Sequence, residues 1–166
     1  MSLNSAIRAI GAAVAVTVAL FAQSVVSAGS GGLVVRDLSA SPVIESVITP
    51  EQIDALEDQV IRTRTDFTDG VSEFEGPLVV DVLRLAGRGG WETARMVAAN
   101  DYAIEIPVSD FETYGVILAH TMNGVRLSRR DKGPYWVMYP LDGFKELDDP
   151  VYNNRLIWQL TTIELR

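Results

Sequence analysis

Arg129, Arg130 and Lys132 fall within four positions of the chain, and Gly133-Pro134 follows at once. Arginine presents a planar fork of donors matched to phosphate or carboxylate, and lysine adds a compact charge. A glycine beside them lets an anion approach the backbone. Arg129, Arg130, Lys132 and Gly133 therefore have the chemistry of an anion site. They equally have that of a solvated rim, with Asp131 neutralising one arginine and Gly133-Pro134 only shaping the loop. Asn100, Asp101 and Tyr102 form a second polar group. Asp101 could orient a ligand or a neighbouring arginine, and Asn-Asp is also a good turn pair.

Other chemistries are poorly provided for. The chain has no cysteine and a single histidine, His120, which excludes a zinc site and thiolate chemistry. His120 follows an apolar run with no G-x-S-x-G elbow to serve, and reads as a packed, hydrogen-bonded residue rather than a general base. The acidic stretch with Asp66, Asp69, Glu73 and Glu75 offers the oxygens that calcium needs, but not at the EF-hand spacing, and reads as a solvated loop. Tyr135, Trp136, Tyr139 and Trp158 could line a flat pocket for a ring. Aromatics on strands also serve as core and cross-strand partners.

With 22 acidic residues against 14 basic ones, the formal charge is −8. Such a field repels nucleic-acid backbones and anionic membrane surfaces, so neither is an expected partner. The first 28 residues have a short polar start with Arg8, an apolar run from about Ala9 to Ala22, and a small-residue ending at Val26-Ser27-Ala28. This is the pattern of a secretory signal, expected to be cleaved after Ala28 or, as second choice, after Ala22. The apolar run is short for a bilayer span, with an uncleaved anchor as the competing reading. The expected location is periplasmic or secreted. Hydrophobic residues make up 48% of the chain, enough for a core without disulfides.

The elements that must position these residues read as follows. Residues 29–40 begin Gly/Ser-rich and are expected to form a flexible joint, with a single domain over 41–166. "SPVIESV" predicts a strand. "TPEQIDAL" predicts a helix start with Thr49 as N-cap, Pro50 at the first position and Gln52 closing a capping box. "QVIRTRT" alternates as a half-buried strand does. "DFTDGVSEFEG" predicts a polar loop turning at Asp69-Gly70. "LVVDVLRLAG" predicts a helix burying Leu78, Val82, Leu85 and Ala86, stopped by Gly87. "RMVAAN" and "YAIEIPV" predict two strands around an Asn100-Asp101 turn, and "SDFETY" one helical turn capped by Ser109. "GVILAH", an Asn123-Gly124 hairpin turn and "YWVMYP" follow. In the closing "LIWQLTTIEL", Ile157, Gln159 and Thr161 should face away from Trp158, Leu160 and Thr162. The class is α+β: a mixed, mainly β core with two or three short helices.

Four phrases, "FEGPLVVDVLRLAG", "NDYAIEIPVSDF", "VILAHTMNGVRLSRRDKGPYWVMYP" and "IWQLTTIEL", come in an order that resembles the small exported proteins grouped with the oxidoreductase molybdopterin-binding domain. The resemblance covers Phe74 to Arg166 strongly and Ser41 to Phe67 weakly. It implies the sulfite oxidase-type fold. In the full-length enzymes of that family a cysteine thiolate ligates molybdenum and basic residues hold the phosphate of the pterin cofactor. It further implies that the "RDKGP" loop is an inherited pterin-side surface, that Asn100, Asp101 and Tyr102 stand where the enzymes have an Asp-Gly-Tyr turn, and that Ile157 stands where they have a lysine before the tryptophan. With no cysteine to hold the metal, the expectation is a non-catalytic exported domain with no resident cofactor, binding a small anionic ligand or a periplasmic protein partner. The alternative is a molybdopterin-dependent oxidoreductase subunit that holds the cofactor without a cysteine.

Overall fold

The computed structural model describes residues 32–87 and 89–166. The expected secretory segment, residues 1–28, lies outside them. Among the described residues there are eleven strands and four α-helices, with two 3-10 turns at Leu141–Gly143 and Lys145–Asp148.

A five-stranded sheet is built from β1 (Leu33–Asp37), β2 (Ile44–Ile48), β5 (Thr93–Ala98), β6 (Ala103–Pro107) and β11 (Leu160–Leu165), in the order β2-β1-β11-β5-β6. Only β1 and β11 run parallel; the other neighbours are antiparallel. One face carries the buried Leu33, Val35, Ile48, Ala94, Met96, Ile106, Ile163 and Leu165. On the other face, register aligns Glu45, Arg36, Glu164, Arg95 and Glu105, one from each strand. Charge therefore alternates across the whole sheet. Arg36 contacts Glu45 at 2.8 Å and Glu164 at 3.6 Å, and Arg95 contacts Glu164 at 2.9 Å.

The second sheet, all antiparallel, runs β3 (Asp58–Arg64), β4 (Val71–Pro77), β8 (Thr121–Met122) and β9 (Val125–Arg126) in spatial order. β7 (Ile117–Ala119) and β10 (Trp136–Met138) form a fully buried two-stranded ribbon beside it. At Gly76 a Cβ would lie 2.2 Å from the Leu118 carbonyl oxygen, so only glycine allows β4 to cross β7 this closely. α1 (Pro50–Asp54) has the expected capping box, with both reciprocal bonds between Thr49 and Gln52. The Asn123-Gly124 turn takes φ of 50° and 74°, as a tight hairpin requires.

Several expectations are corrected. The joint expected at residues 29–40 gives way at Leu33 to β1, an interior strand of the main sheet, because Leu33 and Val35 fill its core face. Glu73 and Glu75, expected in a loop, point outward from β4, while Ser72 and Phe74 point in. α2 (Val79–Ala86) buries Val79, Val82 and Leu83, and leaves Leu85 exposed. α3 (Val108–Thr113) starts at Pro107, so Ser109 lies inside the helix and does not cap it. α4 (Pro150–Asn154), capped by Asp149, is an additional helix.

Candidate functional site

The two predicted groups of site residues lie on separate loops, and one residue that neither group contains ties them together. Gln159, expected on one face of a regular strand with Ile157 and Thr161, sits at φ 51° just before β11. That left-handed kink and a register shift between Leu160 and Thr162 break the expected alternation, and Leu156, Ile157 and Leu160 all end up buried. The Gln159 carbonyl accepts from the Ala99 N–H at 2.9 Å, and its own N–H donates to the Lys132 carbonyl at 3.1 Å. Its side-chain Nε2 donates to the carbonyl oxygens of Arg129 (3.0 Å) and Asp131 (2.8 Å). The β5–β6 turn and the basic loop are thus pinned to one residue.

Within the basic loop, the Ser128 carbonyl accepts from the N–H groups of Asp131 and Gly133, closing a compact turn. Arg129 and Arg130 are exposed, and among the described residues neither has a carboxylate within ion-pair distance. Lys132 is differently placed: its Nζ lies 5.2 Å from the centroid of the Trp136 ring and 4.0 Å from the Asp131 carboxylate. Gly133 is buried, and a Cβ there would stand 2.5 Å from the Leu127 carbonyl oxygen. Loop packing by itself therefore requires a glycine at this position.

In the β5–β6 turn, Asp101 adopts φ 65° and Asn100 Oδ1 accepts from the Tyr102 N–H at 3.2 Å. Tyr102 reaches across to donate its hydroxyl to the Asn154 carbonyl, also at 3.2 Å. This turn parts three hollows. Arg129 and Gly133 line one of about 130 Å³ with Ala99, Pro134 and Gln159. Asn100 and Tyr102 line a cleft of about 270 Å³ with Phe67, Asn153, Asn154 and Trp158. Asp101 borders a shallow depression of about 440 Å³ over Arg36, Arg95 and Glu164. The structure therefore brings Arg129 and Gly133 together, sets Asn100 and Tyr102 across the Ala99–Gln159 link, and places Arg130 and Lys132 in the lining of none of these three hollows.

The remaining candidates have structural employment. His120 is buried, with Nε2 3.1 Å from Asp58 Oδ1 and Nδ1 3.0 Å from Thr121 Oγ1. Among the described residues no cluster of three or more His, Asp or Glu side chains is arranged to hold a metal ion. Tyr135, Trp136 and Tyr139 are core residues, and only Trp158 of the four aromatics opens into a cleft. Tyr139 donates to Asp110, which is also ion-paired with Arg155, each carboxylate and guanidinium mostly buried. Burial first, and then the charge of Asp110, push the Tyr139 phenol far above its ordinary value. Burial likewise raises Tyr135 to about 12.

Sequence reasoning passed over Phe67, Asn153, Asn154 and the pinning role of Gln159. The Asp149-Pro150 pair is a helix-start signal that marks α4, and with it the two asparagines.

No family model and no curated protein matches the chain. The structure is similar to the crystal structure of the sulfane dehydrogenase SoxCD from Paracoccus pantotrophus, with a TM-score of 0.59 at 15% sequence identity. The match takes in 81% of this chain and 38% of that one, so the chain spans well under half the length of its structural neighbour. At that identity the likeness is one of fold, and the fold is the mixed α+β core of the sulfite oxidase type.

Proposed function

We propose that the chain is an exported binding domain without oxo-transfer activity of its own, which takes a small anion in the hollow where Arg129 stands. The observation that carries this reading is the position of Arg129. It is a cation with no ion-pair partner among the described residues, in the wall of a hollow, on a loop whose backbone is held by the Gln159 amide. An uncompensated cation in the wall of a hollow, on a loop already held in place, supports a receptor that needs little rearrangement to take an anion.

The molybdenum cofactor of the enzymes that the sequence resembles does not fit the residues present. Those enzymes hold the metal through a cysteine, and this chain has none. Where they have a lysine before the tryptophan, this chain has the buried Ile157. Lys132 is engaged by Trp136 and Asp131, and the Arg129 hollow, at about 130 Å³, has a single cation in its lining.

The test separates two neighbouring arginines. Saturating phosphate or sulfate should raise the melting temperature of the parent protein, since a ligand at a hundred times its Kd adds about 2.7 kcal/mol, a shift on the order of 10 °C. Arg129→Ala should abolish the shift and Arg130→Ala should largely keep it. Equal shifts in parent and Arg129→Ala would remove the site. Stoichiometric molybdenum and pterin in protein recovered from the periplasm of a molybdopterin-making host would overturn the non-catalytic reading.

A further inference from the structure

The cleft across the Ala99–Gln159 link from Arg129 has a different chemistry. We propose that it is a second site, for an uncharged flat heterocycle that carries ring carbonyls. This goes beyond the anion reading and stands or falls separately from it.

The floor of the cleft is apolar, with Leu156 and Ile157 both buried. Phe67 and Trp158 line it as an edge-to-face pair, with centroids 4.9 Å apart and planes at 67°. A planar ring stacked on one of them meets the edge of the other, an arrangement that aromatic quadrupoles favour. Among the described residues that line the cleft there is no acid, lysine, arginine or histidine. A charged ligand would leave water there with no counter-charge to meet it, which is costly in apolar surroundings. A neutral one avoids that cost. At about 270 Å³ the cleft has room for one small fused ring system.

The polar rim is directional. Asn100 Oδ1 accepts from the Tyr102 N–H, and Asn153 Oδ1 accepts from the Asp66 N–H at 3.3 Å. A backbone N–H can only donate, so these bonds fix which end of each amide is spent. The oxygen ends are used, and both Nδ2 groups have no protein acceptor among the described residues. The Trp158 indole N–H is in the same condition, whereas that of Trp136 is bonded to the Leu156 carbonyl. The Tyr102 hydroxyl donates to the Asn154 carbonyl. The Asn154 side-chain amide is engaged at neither end among the described residues, so what the rim has left over is one two-ended amide and otherwise donors. Its complement is a ring whose edge accepts, through carbonyl oxygens or unprotonated ring nitrogens, and that does not itself need acceptors.

Caffeine is a suitable probe, being neutral, flat and soluble, with two ring carbonyls and no N–H. Indole is its counterpart: equally flat, with a donor and no carbonyl. Calorimetry on the full domain should give saturable caffeine binding with a Kd below about 1 mM, and at least tenfold weaker binding of indole. Asn100→Asp and Asn153→Asp keep the oxygen that the backbone N–H requires and replace the free donor with an acceptor, so each should weaken caffeine at least tenfold without unfolding the domain. Arg129→Ala should leave caffeine binding unchanged and lose the phosphate response, which keeps the two sites apart. No saturable caffeine binding by the folded parent, indole binding as tight as caffeine, or full caffeine affinity in both aspartate variants would each overturn the proposal.

Discussion

Gln159 shows how much one side chain can organise. Its two amide bonds to loop carbonyls are each worth about 1 kcal/mol net, and its φ of 51° costs about as much for a residue with a Cβ. Gln159→Ala loses the bonds and keeps the strain, so it should cost about 2 kcal/mol in urea unfolding and weaken the phosphate response. Gln159→Gly loses the same bonds and relieves the strain, and should cost about half as much; the reverse order would mean that the kink is not strained. At the Asp110–Arg155–Tyr139 cluster, Asp110→Ala leaves a mostly buried guanidinium without its carboxylate and should cost about 3 kcal/mol in the same assay. The phenols set the alkaline limit. Tyr135 and Tyr139 hold their protons more tightly folded than unfolded, so the stability they contribute is complete below pH 10 and is lost as pH rises towards 12 and beyond. The urea midpoint should fall from pH 10 upward, less steeply in Tyr139→Phe, with phenolate absorbance tracking the fall.

At the scale of elements, what was legible in the sequence was what neighbours in the chain decide. The Thr49/Gln52 box and the Asn123-Gly124 turn are local chemistry, and they form as read. β4 was legible in principle: Val71, Glu73 and Glu75 alternate with Ser72, Phe74 and Gly76, but two outward glutamates read as loop until a sheet stands behind them. β1 was hidden by the Gly/Ser run before it, and becomes a strand because β2 and β11 occupy both its edges. The meeting of the basic loop with the β5–β6 turn could not be read, because it depends on a left-handed Gln and on bonds between residues about 30 and 60 positions apart. Close approaches carry the same lesson. Gly133→Ala would push a methyl group into the Leu127 carbonyl, so it should destabilise by about 3 kcal/mol and disturb the hollow beside Arg129 together with the loop, read as a lower urea midpoint and a lost phosphate shift.

For the whole molecule, export is the first matter to test. Among the described residues no helix is long and apolar enough to cross a membrane. Protein recovered from a periplasmic fraction should begin at Gly29 by N-terminal sequencing, or at Gln23 if the second cleavage choice holds; recovery of the intact chain from membranes would favour an anchor. The ladder of charge across the main sheet has a consequence for crowded surroundings. It alternates perfectly from strand to strand, yet with five rungs it must begin and end on the same sign, Glu45 at the β2 edge and Glu105 at the β6 edge. An approaching copy that tried to extend the sheet at this register would bring carboxylate against carboxylate, whichever edges met. An odd number of strands thus turns an internal stabilising pattern into protection against polymerisation. With Val43 and Ile44 exposed beside the β2 edge, Glu45→Val should remove that protection and give concentration-dependent growth in light scattering, while the parent stays dispersed.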